Sequence, residues 1–166
     1  MKTTKTHVYF WGGVYSQWYK APFTENGKVF QTAEHYMMYH KALTFDPSKA
    51  NLIFETNNPK KVKAIGRSLT NFDKDVWDKV CMDIVIQGNY LKFTQNKDLL
   101  NQMLVDAPKT LVEASPVDKI WGVGLSEDDP LILNESNWRG ENNLGKCLML
   151  ARARIIKERA TDELLT

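Results

Sequence analysis

From Asp73 to about Thr94 the residues Val76, Trp77, Val80, Ile84, Asn89 and Leu91 recur at helical spacing, and a periodic run of that length predicts one long helix. Gly88 is its weak point, because glycine inside a helix costs about 1 kcal/mol relative to alanine. A long amphipathic helix has to bury its apolar face against other elements. Several candidates flank it. Thr32 stands where an N-cap belongs, ahead of "TAEHYMMYHKA", in which Ala33, Tyr36, Met37, His40 and Leu43 form an apolar stripe. Asp46-Pro47 caps and starts a short helix, and "NNP" near residue 58 ends it and opens the next. "KDLLNQMLVDA" predicts a helix ending before Pro108. "NWRGENNLG" opens a C-terminal helix with Leu144, Leu148, Met149 and Ile155 inward, and Arg152, Glu158 and Arg159 on a charged outer face.

Strand signals are fewer and shorter. "HVYFW" from His7 to Trp11 is β-branched and aromatic and stops at Gly12-Gly13, "GKVFQ" is a second short strand, and "TLVEAS" is a buried one leading into the loop "PVDKIWGVG". No internal repeat, low-complexity tract or linker interrupts the pattern. The expected architecture is α+β: a mainly helical single domain over residues 1–166, around a small β-sheet.

With 166 residues, 43% of them apolar and 25% charged, the chain has the size of one globular domain. No apolar run approaches a membrane span, and "MKTTKTHVYFWGG" lacks the apolar core of a secretory signal, so a cytoplasmic setting is expected. Cys81 and Cys147 lie among apolar neighbours in helical patterns and read as free buried thiols. A net charge of +2 does not announce a nucleic-acid binder. Lys60, Lys61, Lys63 and Arg67 do cluster, although such a run usually forms a solvated helix face. His35 and His40 are five apart rather than the four of zinc-binding helices. Neither a Walker loop nor a dinucleotide fingerprint occurs, so no metal and no cofactor is expected.

The chemistry is expected elsewhere. Glu34 and Lys41 leave the same helix face, yet seven residues separate their backbones by roughly 10 Å, too far for a helix-stabilising pair. Between them stands Met38, leaving a gap that a small ligand could occupy. The plain alternative is two solvated charges. Three polar loops, "FWGGVYSQW", "SPVDKIWGVG" and "NWRGENNLG", combine glycine with aromatics, the composition of a rim presented by a rigid scaffold. Trp11, Trp121 and Trp138 in these loops are candidates for stacking on a base or sugar, or for core packing. Asp118 is a loop carboxylate after a strand, or else a turn former. Arg139, Asn142 and the amides ahead of the last helix suit a phosphate, or serve capping alone. Together these groups describe a pocket for a phosphorylated sugar attached to a base.

The motifs "FWGG…S", "TAEHYMMYHKA", Gly66-Arg67, Trp77, "KFTQN", "LVEASPVDKIWGVG" and "WRGENNLGKCLMLAR" resemble, in order and over nearly the whole chain, the NADAR (NAD- and ADP-ribose-associated) family, also called YbiA-like. That resemblance implies an N-glycosidase. Some members act on a ribosylamino-pyrimidine intermediate of riboflavin synthesis, and others remove ADP-ribose from modified guanine in nucleic acid. Glu34, Lys41 and Asp118 match the family's catalytic positions. Trp77 matches the family's tryptophan, and Trp11, Gly12, Ser16, Trp121, Gly122, Arg139 and Asn142 are the further substrate-binding candidates. The implied mechanism has Lys41 forming a Schiff base with the opened sugar while Glu34 shuttles protons. The segment "WGVGLSEDDPLILNESNWRGENNLG" is longer than in the riboflavin-intermediate type, which favours ADP-ribosylated nucleic acid over a phosphorylated N-glycoside metabolite as substrate. A non-catalytic ADP-ribose-binding module is the second alternative, although a binder needs no paired amine and carboxylate. The oligomeric state is left open by the sequence.

Overall fold

A computed structural model describes all residues from Met1 to Thr166. In chain order its elements are β1 (Lys2–Thr3), β2 (His7–Phe10), β3 (Phe23–Glu25), β4 (Lys28–Phe30), α1 (Ala33–Phe45), α2 (Pro59–Arg67), α3 (Lys74–Thr94), α4 (Lys97–Asp106), β5 (Thr110–Glu113) and α5 (Asn143–Leu165), joined in places by 3-10 turns. The architecture is α+β and mainly helical, in line with the sequence pattern. Two compact units are distinguished by their internal contacts, Gln17–Asn96 and Met1–Ser16 with Lys97–Thr166. No glycine- or proline-rich linker marks their borders in the sequence.

In the unit Gln17–Asn96, β3 and β4 form an antiparallel hairpin with Phe23 opposite Phe30. Asn26 and Gly27 at its tip both have positive φ, 52° and 77°, the backbone that a two-residue turn needs to match strand twist. The Asn-Gly signal was present in the sequence, yet β3 was not foreseen. Phe23, Phe30 and Tyr36 make an aromatic core, with Tyr39, Phe54, Ile84 and Leu91 packed against it. Gly88 explains itself in that packing, since a Cβ there would come within 2.6 Å of the Tyr36 ring. The long helix α3 therefore gives up propensity for close approach to α1.

Helix α1 is buried more widely than one stripe predicts. Leu43, expected inward, is 42% exposed, whereas Glu34 and Met38, placed beside the stripe, are buried. The reason is that α2, α3 and the 3-10 segment Pro47–Glu55 all pack against α1. Gly66 of α2 lies so near that an added Cβ would overlap the Met38 sulfur.

The unit containing both termini is built on the sheet order β1-β2-β5, antiparallel then parallel, with Val8 opposite Leu111. Strand β2 ends at Phe10, leaving Trp11 in the following loop. Helix α5 covers β5. Tyr9, Val112, Ala114, Val123, Leu125 and Ile132 form the core, and Trp138 packs on it. Residues 125–138, within the long segment that favours an ADP-ribosylated substrate, fold onto that core through Leu125, Ile132 and Trp138, and the Trp138 indole donates to Ile132 O at 2.8 Å. Arg152 also corrects the sequence reading: it is buried rather than outward, and its guanidinium donates to Lys109 O at 2.7 Å. Asp106 of α4 takes the Tyr15 hydroxyl, and both face that guanidinium. Cys81 and Cys147 are free and buried. No helix is long and apolar enough to cross a membrane.

Candidate active site

The first turn of α1 is fixed by a set of short-range bonds. Thr32 Oγ1 accepts the His35 amide at 3.2 Å and lies 2.7 Å from His35 Nδ1, while His35 Nε2 is 2.8 Å from Thr56 O. A carbonyl can only accept, so Nε2 carries the proton and Nδ1 receives the Thr32 hydroxyl. Burial lowers the pKa of this ring, opposed by the Thr56 bond, and it stays neutral. The imidazole is thus a structural pin. Next to it Glu34 is 7% exposed, its amide donating to Gln17 O at 3.0 Å. Placement in a helix's first turn favours a carboxylate there through the exposed amides and the helix dipole.

Two turns later Lys41 is half-buried, with Nζ 4.7 Å from the Phe72 ring centroid and 5.7 Å from that of Trp77. Phe45 joins these rings, edge-on to Phe72 at 5.1 Å and to Trp77 at 6.3 Å. Burial lowers the Lys41 pKa below the ordinary lysine value; Glu34 opposes that shift, and Arg67 adds to it. An amine so placed is easier to deprotonate than a surface lysine, the condition for a nucleophilic lysine. The Glu34 carboxylate therefore acts electrostatically on the Lys41 amine across the gap between them.

The loop carrying Phe72 is tied down. Asp46 Oδ2 accepts the Thr70 amide at 3.1 Å and the Thr70 hydroxyl at 2.9 Å, and Asp46 Oδ1 accepts from Ser48. These bonds, with Lys49 nearby, hold the Asp46 carboxyl down to about 2. Asn71 then adopts φ 59°, a left-handed backbone that asparagine tolerates better than most residues. Asp73 caps α3 by accepting the amides of Asp75 and Val76.

In the other unit, Asp118 Oδ1 accepts the amides of Ile120 and Trp121 at 2.9 and 2.8 Å, while its own amide donates to Ser115 Oγ. One carboxylate oxygen thus shapes the turn, and no hydrogen bond within the chain falls on the other. Trp121 is half-buried, Arg139 is exposed, and Trp11 is 61% exposed. Gly12 is exposed in the loop after β2, followed by half-buried Ser16, whose amide closes on Gly13 O.

The anion-binding reading of the α5 start does not survive this geometry. The amides of Glu141, Asn142, Asn143 and Leu144 donate to the carbonyls of Lys119, Gly122, Ile120 and Trp121. The Asn142 side chain accepts the Glu113 amide and donates to Leu111 O, both at 3.0 Å. Donors already used inside the fold are not offered to a phosphate. Asn142 and the Gly122 carbonyl instead join β5, the Asp118 turn and α5.

The structure thus groups Glu34, Lys41 and Trp77 in one unit, and Asp118, Trp121, Gly122, Arg139 and Asn142 in one loop assembly of the other. Sequence reasoning missed Phe72 and the influence of Arg67 on Lys41. An aromatic immediately before an Asp cap and five before a tryptophan was the available signal for the first, since that position commonly packs onto the helix's first turn. No cluster of three or more His, Cys, Asp or Glu side chains able to hold a metal is formed.

A NADAR domain model matches residues 9–156, nearly the whole length over which the strands, the Lys41 face and the Asp118 loop are laid out. The chain belongs to the NADAR family. It is 44% identical to an N-glycosidase of Acanthamoeba polyphaga mimivirus, covering 92% of this chain and 97% of that protein. It is 30% identical to the chloroplastic riboflavin biosynthesis protein PYRR of Zea mays over 80% of this chain, which spans 21% of the maize protein. The solution structure of the E. coli protein YbiA superposes with a TM-score of 0.77 at 25% identity, covering 96% of this chain and 90% of that one.

Proposed function

We propose that this chain is an N-glycosidase that hydrolyses the bond between the ribose of ADP-ribose and a nucleobase, with modified guanine in DNA as the leading substrate. The observation that carries the activity is the Lys41 amine, half-buried against Phe72 and Trp77 with its pKa lowered and the Glu34 carboxylate acting on it. The N-glycosidase name of the 44%-identical viral relative supports the same class.

The neutral amine attacks the anomeric carbon, and the bond from that carbon to the base nitrogen breaks. The Glu34 carboxylate takes one proton from the attacking nitrogen and passes it to the departing base. The second amine proton passes to the ring oxygen as the sugar opens, leaving an imine between Lys41 and the sugar. Water then adds to the imine carbon, and loss of the amine returns free lysine and a sugar that recloses. Covalent catalysis divides one hard displacement into two easier steps, and a positioned proton donor contributes about 10²–10⁴-fold. Trp77 bounds the reacting centre.

Support for the substrate comes from the exposed Lys60, Lys61 and Arg67 of α2. The segment 125–138 no longer contributes, since it packs into the core. A second reading, cleavage of ribosylamino-pyrimidine phosphates, is favoured by the relationship to the maize riboflavin protein. Product analysis after incubation with ADP-ribosylated DNA, and separately with those pyrimidine phosphates, decides between them. Release of ADP-ribose and restored guanine supports the first; cleavage of the pyrimidine compounds alone replaces it with the second.

A further inference from the structure

Phe72 is 47% exposed, yet polar bonds anchor the loop that carries it on both sides. Thr70 is clamped twice on Asp46, Asn71 takes a left-handed backbone, and Asp73 caps α3. The ring rests edge-on against Phe45 and turns a face to the Lys41 ammonium 4.7 Å away. A solvent-facing aromatic held by polar anchors on both sides, one ring away from a nucleophilic amine, is arranged as a platform. We infer that Phe72 is the surface on which the planar leaving base stacks, so that it selects aromatic leaving groups at the Lys41 centre. The inference rests on the N-glycosidase reading given above.

The geometry also suggests an exchange. A protonated Lys41 is attracted to the Phe72 face by cation–π interaction. Once neutral, as attack requires, the amine loses that attraction and the ring face is open to a base. Nucleobase stacking on an aromatic side chain contributes about 1–3 kcal/mol in systems that bind single strands, so losing the ring corresponds to roughly a tenfold or greater loss for a base-bearing substrate.

Phe72 also precedes the Asp73 cap, where a hydrophobic residue steadies the start of a helix. The test therefore separates the two roles. Phe72→Leu keeps an apolar side chain at the helix start but removes the π face, and Phe72→Trp enlarges the face. Each is compared with wild type on an ADP-ribosylated guanine oligonucleotide and on ADP-ribosyl fluoride, the same sugar with a leaving group that cannot stack, with thermal melts alongside. For Phe72→Leu the expected result is a melt within a few degrees of wild type and a kcat/KM ratio, oligonucleotide over fluoride, lowered roughly tenfold or more, mainly through KM for the oligonucleotide, since any loss through the altered surroundings of Lys41 falls on both substrates and cancels in that ratio. Phe72→Trp is expected to keep wild-type selectivity or sharpen it. Equal losses on both substrates, or no loss on either, overturn the stacking role. If wild type cleaves neither probe, the underlying N-glycosidase reading for this sugar fails instead, which is visible before any variant is made.

Discussion

Gly145→Ala should destabilise the protein more than a change of one methyl group suggests. An alanine Cβ at this position would lie 2.1 Å from the Leu111 carbonyl oxygen, and within 2.4 and 2.6 Å of the Asn142 amide atoms. The first distance is about 1.3 Å short of the 3.4 Å at which ordinary contact begins. Backbone cannot rotate aside as a flexible side chain can, so α5 must retreat from β5. Retreat breaks the Asn142 bonds to Leu111 O and the Glu113 amide, both 3.0 Å, and Asn142 itself is buried. Leaving buried polar groups unsatisfied costs about 1–3 kcal/mol each. The intrinsic helix preference for alanine returns about 1 kcal/mol. The net expectation is a loss on the order of 2–4 kcal/mol, which for a chain of this length lowers Tm by roughly 5–15 °C. Thermal and urea unfolding read it directly. Gly12→Ala, where nothing lies within 4 Å, is the control and should be near neutral. A Gly145→Ala protein as stable as wild type would refute the packing of α5 on β5 described above.

Glu34→Gln should leave a folded protein that binds ADP-ribose but turns over at least about a hundredfold more slowly; retention of the wild-type rate in single-turnover assays removes Glu34 from the chemistry. Because the proposed attack needs Lys41 as the neutral amine, and its pKa is lowered by burial and Arg67, kcat/KM should rise with pH and level off below the ordinary lysine range. Arg67→Ala should move that rising limb to higher pH, and a limb that stays in place contradicts the assigned cause. Lys92 is fully buried, and burial lowers its pKa to about 7. The unfolded chain binds the extra proton up to about 10.4, so stability should climb between these values by at most about 1.4 kcal/mol per pH unit. Urea unfolding of Lys92→Met should lack that climb, and an identical pH dependence in both proteins counts against it. Reversing Lys60 and Lys61 to Glu should weaken cleavage of modified oligonucleotides in a salt-dependent way while sparing the modified mononucleoside; equal effects on both exclude α2 as a nucleic-acid surface.

Helical periodicity made most of the fold legible. The run Val76, Trp77, Val80, Ile84 gives α3 with its cap at Asp73, and Thr32 caps α1 as its position suggests. What escaped was set by tertiary approach rather than local pattern. Leu43 lies outside because α1 is enclosed by three neighbours that bury Glu34 and Met38 in its place. Arg152 looks like a surface cation until Asp106, Tyr15 and Lys109 surround it. Within the site, the face shared by Glu34 and Lys41 was legible because seven residues nearly complete two helical turns. The roles of Asn142 and the α5 amides were not, since capping, sheet bridging and phosphate binding use the same residue types, and only the partners distinguish them. Phe72 escaped because a single aromatic in a polar loop carries no period.

The central claim is that Lys41 bonds covalently to the sugar, and reductive trapping tests it most directly. Wild-type protein turning over ADP-ribosylated guanine oligonucleotide is treated with sodium borohydride, digested, and mapped by mass spectrometry. The account predicts an ADP-ribosyl adduct on the peptide carrying Lys41 and none in Lys41→Arg, which should also be inactive. Efficient turnover with no adduct, or with the adduct on another lysine such as Lys92, would contradict it.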